Sequence, residues 1–178
     1  LVCYCDDCQS FAHFLGGAER ILDANGGTDI FQMSPARLEF SEGVEQLACI
    51  RLTPGGMLRW HARCCNTPIG NTMAARGIPF VGLIHSCVDH AADRNAALGP
   101  IRARINGRFA KGDRAQLEAH DRAPLSLIFH FVPMILRARL RGDHNRSPFF
   151  DTKTGKLRVE PRVLTAEELR EVERTRDG

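Results

Sequence analysis

QLACIRLTPGGMLRWHARCCNTPIG, residues 46–70, is the stretch that decides the fold class. Two apolar, strand-like runs, QLACIRL and MLRWHA, flank Thr53-Pro54-Gly55-Gly56. Proline presets the φ of a turn and glycine accepts the conformations that other residues avoid, so this pattern predicts a β-hairpin. The second strand runs directly into Arg63-Cys64-Cys65-Asn66-Thr67-Pro68, which delivers two adjacent cysteines to the turn that follows. A turn after a strand is where zinc-ribbon ligands usually sit, and adjacent cysteines seldom bridge each other because the ring is strained.

Outward from the hairpin, the pattern stays rich in strands on both sides for the first half of the chain. Upstream, DIFQM and RLEFSEG (residues 29–33 and 37–43) read as short strands with a Ser-Pro break between them, and Asp23 to Gly27 is a turn cluster. Residues 9–22 fit a short helix or a loop with one apolar face. Downstream, IPFVGLIHSCV (residues 78–88) reads as a buried strand. Residues 90–123 are polar and rich in arginine, with turns expected at Asn106-Gly107 and Gly112-Asp113. Residues 123–136, APLSLIFHFVPMIL, are almost continuously apolar but too short to span a membrane. The expected reading is a buried helix with Pro124 near its start and a kink or break at Pro133; the basic RARLR that follows keeps a membrane-surface helix as the alternative. Residues 149–161 suggest a small hairpin, and Thr165 with Glu168 forms the capping box of a terminal helix.

Length and composition bound the rest. A chain of 178 residues with 43% hydrophobic and 25% charged residues is long enough to bury a real core. Its net charge of +3, from 24 basic against 21 acidic residues, is too small an excess to argue for nucleic acid. Seven cysteines cannot all pair within one chain. No basic, apolar leader precedes them, so thiols in a reducing, cytoplasmic setting and bound to metal are favoured over disulfides. A start at Leu1, hard against a cysteine cluster, leads us to expect a further segment upstream.

That cluster is Cys3-Tyr4-Cys5-Asp6-Asp7-Cys8. C-x-C followed by C-x-x-C puts three soft donors in one tight turn, which suits zinc; Asp6 and Asp7 are harder donors and read as turn residues. Cys49, Cys64 and Cys65 are the candidates to close such a site from a distance, and spacing alone leaves open whether it closes at all. Cys49 and Cys87 fall inside apolar runs and read as inert packed thiols. His13, His61 and His85 are weaker metal candidates, each read first as packing or surface.

Taken together, C-x-C-x-x-C, then short strands, then a hairpin running into RCCNTPIG resemble the glutathione-dependent formaldehyde-activating enzyme family, which also includes centromere protein V. The resemblance runs from Leu1 to the neighbourhood of His90. It implies an antiparallel β-tent around two zinc ions. Cys3, Cys5 and Cys8 match the triplet that holds the family's catalytic zinc, with Tyr4 where histidine is common. Cys65-Asn66-Thr67-Pro68-Ile69 matches the family's C-G-T-x-L, with Asn66 in place of glycine. The first cysteine of that late C-x-x-C would fall at Ala62, which cannot ligate, and Cys64 is the candidate substitute in a structural zinc site whose other ligands would precede Leu1.

The expectation is therefore a mainly β protein with added α: a zinc-binding β-tent domain over residues 1–90, and a helical or irregular extension over residues 91–178 packed on it. The resemblance implies a zinc-dependent carbon–sulfur lyase acting on a thiol adduct, such as that of glutathione with formaldehyde or a related aldehyde. Arg20, Arg37 and Arg59 are carboxylate partners by residue type only. The competing expectations are a non-catalytic zinc-stabilised binding module and, more weakly, a thiol redox sensor.

Overall fold

The computed structural model describes residues 1–88 and 93–178, so the domain boundary expected at 90/91 lies outside the described residues. In chain order the elements are β1 (Val2–Cys3), α1 (Asp6–Phe14), α2 (Ala18–Ile21), β2 (Thr28–Met33), β3 (Leu47–Arg51), β4 (Leu58–Ala62), β5 (Thr67–Thr72) and β6 (Val81–Ile84). They are followed by α3 (Arg94–Leu98), β7 (Arg104–Ile105), α4 (Leu125–Leu140), β8 (Arg162–Val163) and α5 (Ala166–Asp177). The strands form one sheet in the order β7-β1-β2-β6-β5-β4-β3-β8. The fold is thus mainly β with added α, as expected. Its central pairs and β1 with β2 are antiparallel, whereas β7 joins β1 and β8 joins β3 in parallel. Parallel neighbours need long crossovers, and here the distant second half of the chain supplies both edge strands.

Strand parity divides the core. Along β3 and β4, Leu47, Cys49, Leu58 and Trp60 face one side, where Phe149 and Phe150 cover them. Trp60 is fully buried against Phe149, with ring centroids 4.7 Å apart, and its Nε1 donates to Thr72 Oγ1 at 2.8 Å. The opposite side holds Ile50, Leu52 and Ile84 under Phe11, Ala12 and Leu15 of α1. Successive side chains of a strand alternate faces. Arg59 and His61 therefore cannot share the Trp60 side and are buried beneath α1 instead.

Helix α5 closes over α1. It begins with the full Thr165–Glu168 capping box, and its Arg176 reaches Ser10 Oγ at 3.2 Å and Asp6 Oδ1 at 3.7 Å. A second tie joins distant parts of the chain through Ser34, whose hydroxyl donates to the buried Asp143 carboxylate at 2.8 Å.

Three local expectations need correction. Residues 37–43 form no strand: a short helical turn over Pro35–Arg37, capped by the Ser34 side chain, takes Arg37, and residues 38–43 follow it in irregular backbone. The segment still puts Leu38 and Phe40 against the Trp60 cluster from irregular backbone. Residues 149–161 make only a single antiparallel bridge, Phe150 to Leu157, around an Asp151-capped turn. Helix α4 does form across Pro133, but it is not a buried helix; only Leu127 and Ala138 are buried along it.

Candidate metal centre

Three cysteines meet where β1 hands over to α1. Cys3 ends the strand, Cys5 is the N-cap of the helix in extended conformation (φ −64°, ψ 151°), and Cys8 lies in the first turn. The short connection through Tyr4 is fixed on both sides. Tyr4 is fully buried, its hydroxyl donates to Asp23 Oδ2 at 3.0 Å, and its carbonyl accepts from Gln9 Nε2 at 2.7 Å. Burial, followed by the neighbouring Asp23 charge, pushes the Tyr4 phenol up to about 12, so it stays a neutral donor. Gly27 makes room for this ring, since a Cβ there would come within 2.5 Å of it.

The three sulfurs lie within 4.8 Å of one another, with Cys3 and Cys5 3.3 Å apart. Zinc–sulfur bonds of about 2.3 Å at tetrahedral angles would hold thiolates about 3.8 Å apart, which these positions approach closely. Cys3 and Cys8 are buried and Cys5 is half-buried. This is the one such group of metal-capable side chains among the described residues, and no fourth His, Cys, Asp or Glu joins it. The thiols share their protons unequally. Hydrogen bonding with Cys5, then Cys8, holds Cys3 down at about 3, while the same contacts with Cys3 push Cys5 up and Cys8 well up.

The surroundings favour negative charge. Backbone N–H groups at the start of α1 act on these sulfurs, that of Cys5 to lower the Cys3 thiol and that of Cys8 to lower the Cys5 thiol, and a helix N-terminus favours thiolate. Asn106 Nδ2 donates to Cys3 Sγ at 3.3 Å from a left-handed backbone (φ +60°), so the expected Asn106-Gly107 turn has a second use. Arg59, 3% exposed, places its guanidinium under the helix, 3.3 Å from Asp7 Oδ2 and 3.3 Å from Asn71 Oδ1. Burial alone would lower its pKa, but the charges of Cys8, Asp7 and Cys5 outweigh that and raise it. Its Nε is buried without a partner, and so is the hydroxyl of Thr28, which sits opposite Cys3 in the β1–β2 ladder. The donor set and these two orphaned polar atoms fit a metal ion with one further ligand beside it.

The other candidates lie elsewhere. Cys64 and Cys65 occupy the tip of the β4–β5 hairpin, both exposed, with their sulfurs 3.7 Å apart. Asn66 completes that turn with φ +53°, a conformation that asparagine and glycine tolerate best. The Cys65 thiol is pulled down, first by Thr67, whose Oγ1 lies 3.1 Å away. Cys49 is buried in β3 and is pushed up to about 12, mainly by burial; Cys87 likewise rises to about 11. His61 is packed edge-on between Phe11 and Phe14, and burial, then Arg162 and Arg63, lowers its pKa. His13 and His85 are not part of the cysteine group. Of the three arginines, Arg20 and Arg37 are exposed, and only Arg59 reaches the centre. Pleat parity could have indicated Arg59 once the Leu58–Trp60 face was read as core. No local signal links Asn106 or Thr28 to Cys3.

The chain belongs to the DUF6151 family. That family is described as one of unknown function, and its model matches residues 1–160. The match takes in the cysteine centre, Arg59, Asn106 and all of α4 of this DUF6151 protein. No curated protein and no solved structure matches the chain.

Proposed function

We propose that Cys3, Cys5 and Cys8 hold one zinc ion whose fourth position takes a small-molecule thiol or aldehyde, and that the protein is a carbon–sulfur lyase of the kind the sequence resemblance implies. The observation that carries this reading is the group of three thiols without a fourth His, Cys, Asp or Glu donor among the described residues. When bound, zinc would supply Lewis acidity and would favour thiolate at neutral pH. Three thiolates around a divalent cation leave a net negative charge. Arg59 would offset it from below, and the Asn106 amide would hold Cys3 in place. The orphaned Thr28 hydroxyl and Arg59 Nε would be free to hydrogen-bond an added ligand. Asn66 standing for glycine in the late motif is compatible with its positive φ. Under the same reading, Cys64 and Cys65 would be ligands of a second, structural zinc site in a β-tent built around both ions. Seven free cysteines fit a reducing, cytoplasmic setting.

One observation favours the non-catalytic alternative, a zinc-stabilised binding module. Cys3 and Cys8 are only 6% and 7% exposed, and the two cavities that flank β1 have no cysteine in their walls. The experiment is exchange spectroscopy of formaldehyde with glutathione, and with other small thiols and aldehydes, in the presence of the zinc-loaded chain. Acceleration that disappears in a folded Cys5→Ser variant supports the lyase. Zinc-dependent folding with no acceleration of any pair leaves the module and removes the lyase.

A further inference from the structure

Helix α4 turns its apolar side outward. Leu125, Ile128, Phe129, Val132, Leu136 and Leu140 are all exposed, with Leu125 at 70%, Phe129 at 75% and Leu140 at 88%. Their spacing of three and four residues puts them on one face. The opposite face carries buried Leu127 and Ala138, together with Phe131, which meets Phe80 edge-on at 6.4 Å. The helix is thus anchored by its inner side and presents a ridge about 24 Å long. The loop bearing the exposed Ile78 is tied to it by Arg139, which donates to the Gly77 carbonyl.

Charge selects the occupant. Between Asp121 and Asp143 the sequence contains no acid, but it contains Arg122, Arg137, Arg139 and Arg141, at both ends of the ridge. Arg102 adds to them beside His130, at 3.5 Å. Asp143 is buried and already paired with Ser34 and Arg146. A second copy docking on the same face would bring arginine against arginine in either direction, with only Asp121 at the N-terminal end to offset them. A strip about 24 Å by 10 Å would also bury on the order of 500 Å² in total, well below the roughly 1,200 Å² of a stable interface. An apolar ridge rimmed by arginines and lying flat on the surface is the shape of an interfacial helix. No helix among the described residues is long and apolar enough to cross a membrane.

We propose that α4 docks this protein on an anionic lipid surface, with its six exposed apolar side chains inserted at the headgroup–acyl boundary and its arginines on the lipid phosphates and carboxylates. The proposal is independent of what the cysteine centre does.

The test is co-sedimentation of the whole chain with phosphatidylcholine vesicles, with and without phosphatidylserine, at low and high salt. Wild type binds the phosphatidylserine vesicles and is released by salt. Phe129→Ser with Leu136→Ser lowers the partition coefficient roughly 100-fold, from the transfer cost of two large apolar side chains. Arg137→Ser with Arg141→Ser lowers it about 25-fold, at about fivefold per arginine, and flattens the salt dependence. Both pairs are exposed, and circular dichroism checks that the fold is kept. Absence of binding to phosphatidylserine vesicles overturns the proposal. So does binding that neither variant changes, or a wild-type dimer in sedimentation velocity that the Phe129→Ser, Leu136→Ser variant dissolves.

Discussion

Cys3, Cys5 and Cys8 lie where an edge strand meets a helix N-terminus, over a buried arginine; Cys64 and Cys65 lie at the tip of a hairpin, exposed to solvent. Both groups owe their closeness to local sequence, and the sulfurs are similarly near in each, 3.3 Å for Cys3–Cys5 and 3.7 Å for Cys64–Cys65. They differ in everything the rest of the fold supplies. The first group adds to its own helix start the Asn106 amide and the Arg59 charge, each brought from a distant part of the chain. The second receives mainly the hydroxyl and backbone N–H of Thr67, two residues away, with a smaller contribution from the Arg20 charge. Spacing gathers donors, but retaining a cation as a thiolate complex also needs groups that stabilise the charge and exclude water.

The sharpest way to break that contrast is to remove one sulfur from each group. Cys8→Ser is expected to abolish zinc retention, read as metal content after gel filtration. A ligand present at a thousandfold excess over its Kd stabilises by about 4 kcal/mol. The variant should therefore melt roughly 10 °C lower than the zinc-loaded wild type, at 2–4 °C per kcal/mol for a chain of this size. Cys64→Ser should leave the metal content of this chain unchanged. The reverse result would place the metal at the hairpin tip. Next in size is Arg59→Met, which keeps the packing under α1 but removes the charge. Zinc affinity, measured by competition with a chromophoric chelator, should fall about 10- to 100-fold, whereas Arg63→Met beside Cys64 should not change it. Equal affinities would mean that Arg59 serves only Asp7 and Asn71.

Local signals were legible in the sequence wherever chain neighbours decide the outcome. The Thr53–Gly56 turn, the Thr165–Glu168 box and the C-x-C-x-x-C cluster each depend on residues a few positions apart, and each is found where it was expected. Residues 38–43 have the composition of a strand, but they leave the Ser34-capped turn at Pro35–Arg37 in irregular backbone and use Leu38 and Phe40 to cover the Trp60 cluster instead of joining the sheet. Helix α4 was recognisable by its composition, yet its burial was not, because an apolar run shows only that cover would be favourable, not that the fold provides it. Arg59 was visible only as an arginine. Its place follows from parity with Trp60 and from α1 lying over that face, a contact between residues about fifty positions apart. The Asn106–Cys3 bond joins residues 103 apart and leaves no local trace.

A smaller effect isolates that long-range bond. Asn106→Gly keeps the left-handed backbone without steric strain but removes the amide. One hydrogen bond to a thiolate is worth about 1 kcal/mol net, so zinc affinity should fall about fivefold. Asn106→Ala would add backbone strain to the same loss, and the difference between the two variants measures it. No change in Asn106→Gly would show that the helix amides and Arg59 suffice to hold Cys3.

The smallest effect tests the exposed pair from its own side. Thr67 lowers the Cys65 thiol, so Cys65 carries more thiolate near neutrality than an ordinary cysteine and should alkylate early. Cys64, by contrast, is raised, first through its contact with Cys65, so a Cys64→Ser background gives a single titration to follow. In that background the pH profile of Cys65 alkylation should have its midpoint below the usual thiol value of about 8.5. Thr67→Val should move the midpoint up. The sign follows from the thiolate being the reactive form. At pH 7 the variant should react up to about fivefold more slowly, the worth of one modest hydrogen bond. Well above both midpoints the two proteins should react alike, since both are then fully ionised. Cys3, Cys5 and Cys8 should stay unmodified across this range while zinc is bound, and become reactive once it is chelated. A profile in which Thr67→Val leaves the midpoint in place would mean that the Thr67 hydroxyl does not set the Cys65 thiol, and that the backbone N–H of residue 67 and the Arg20 charge, which the variant keeps, lower it instead.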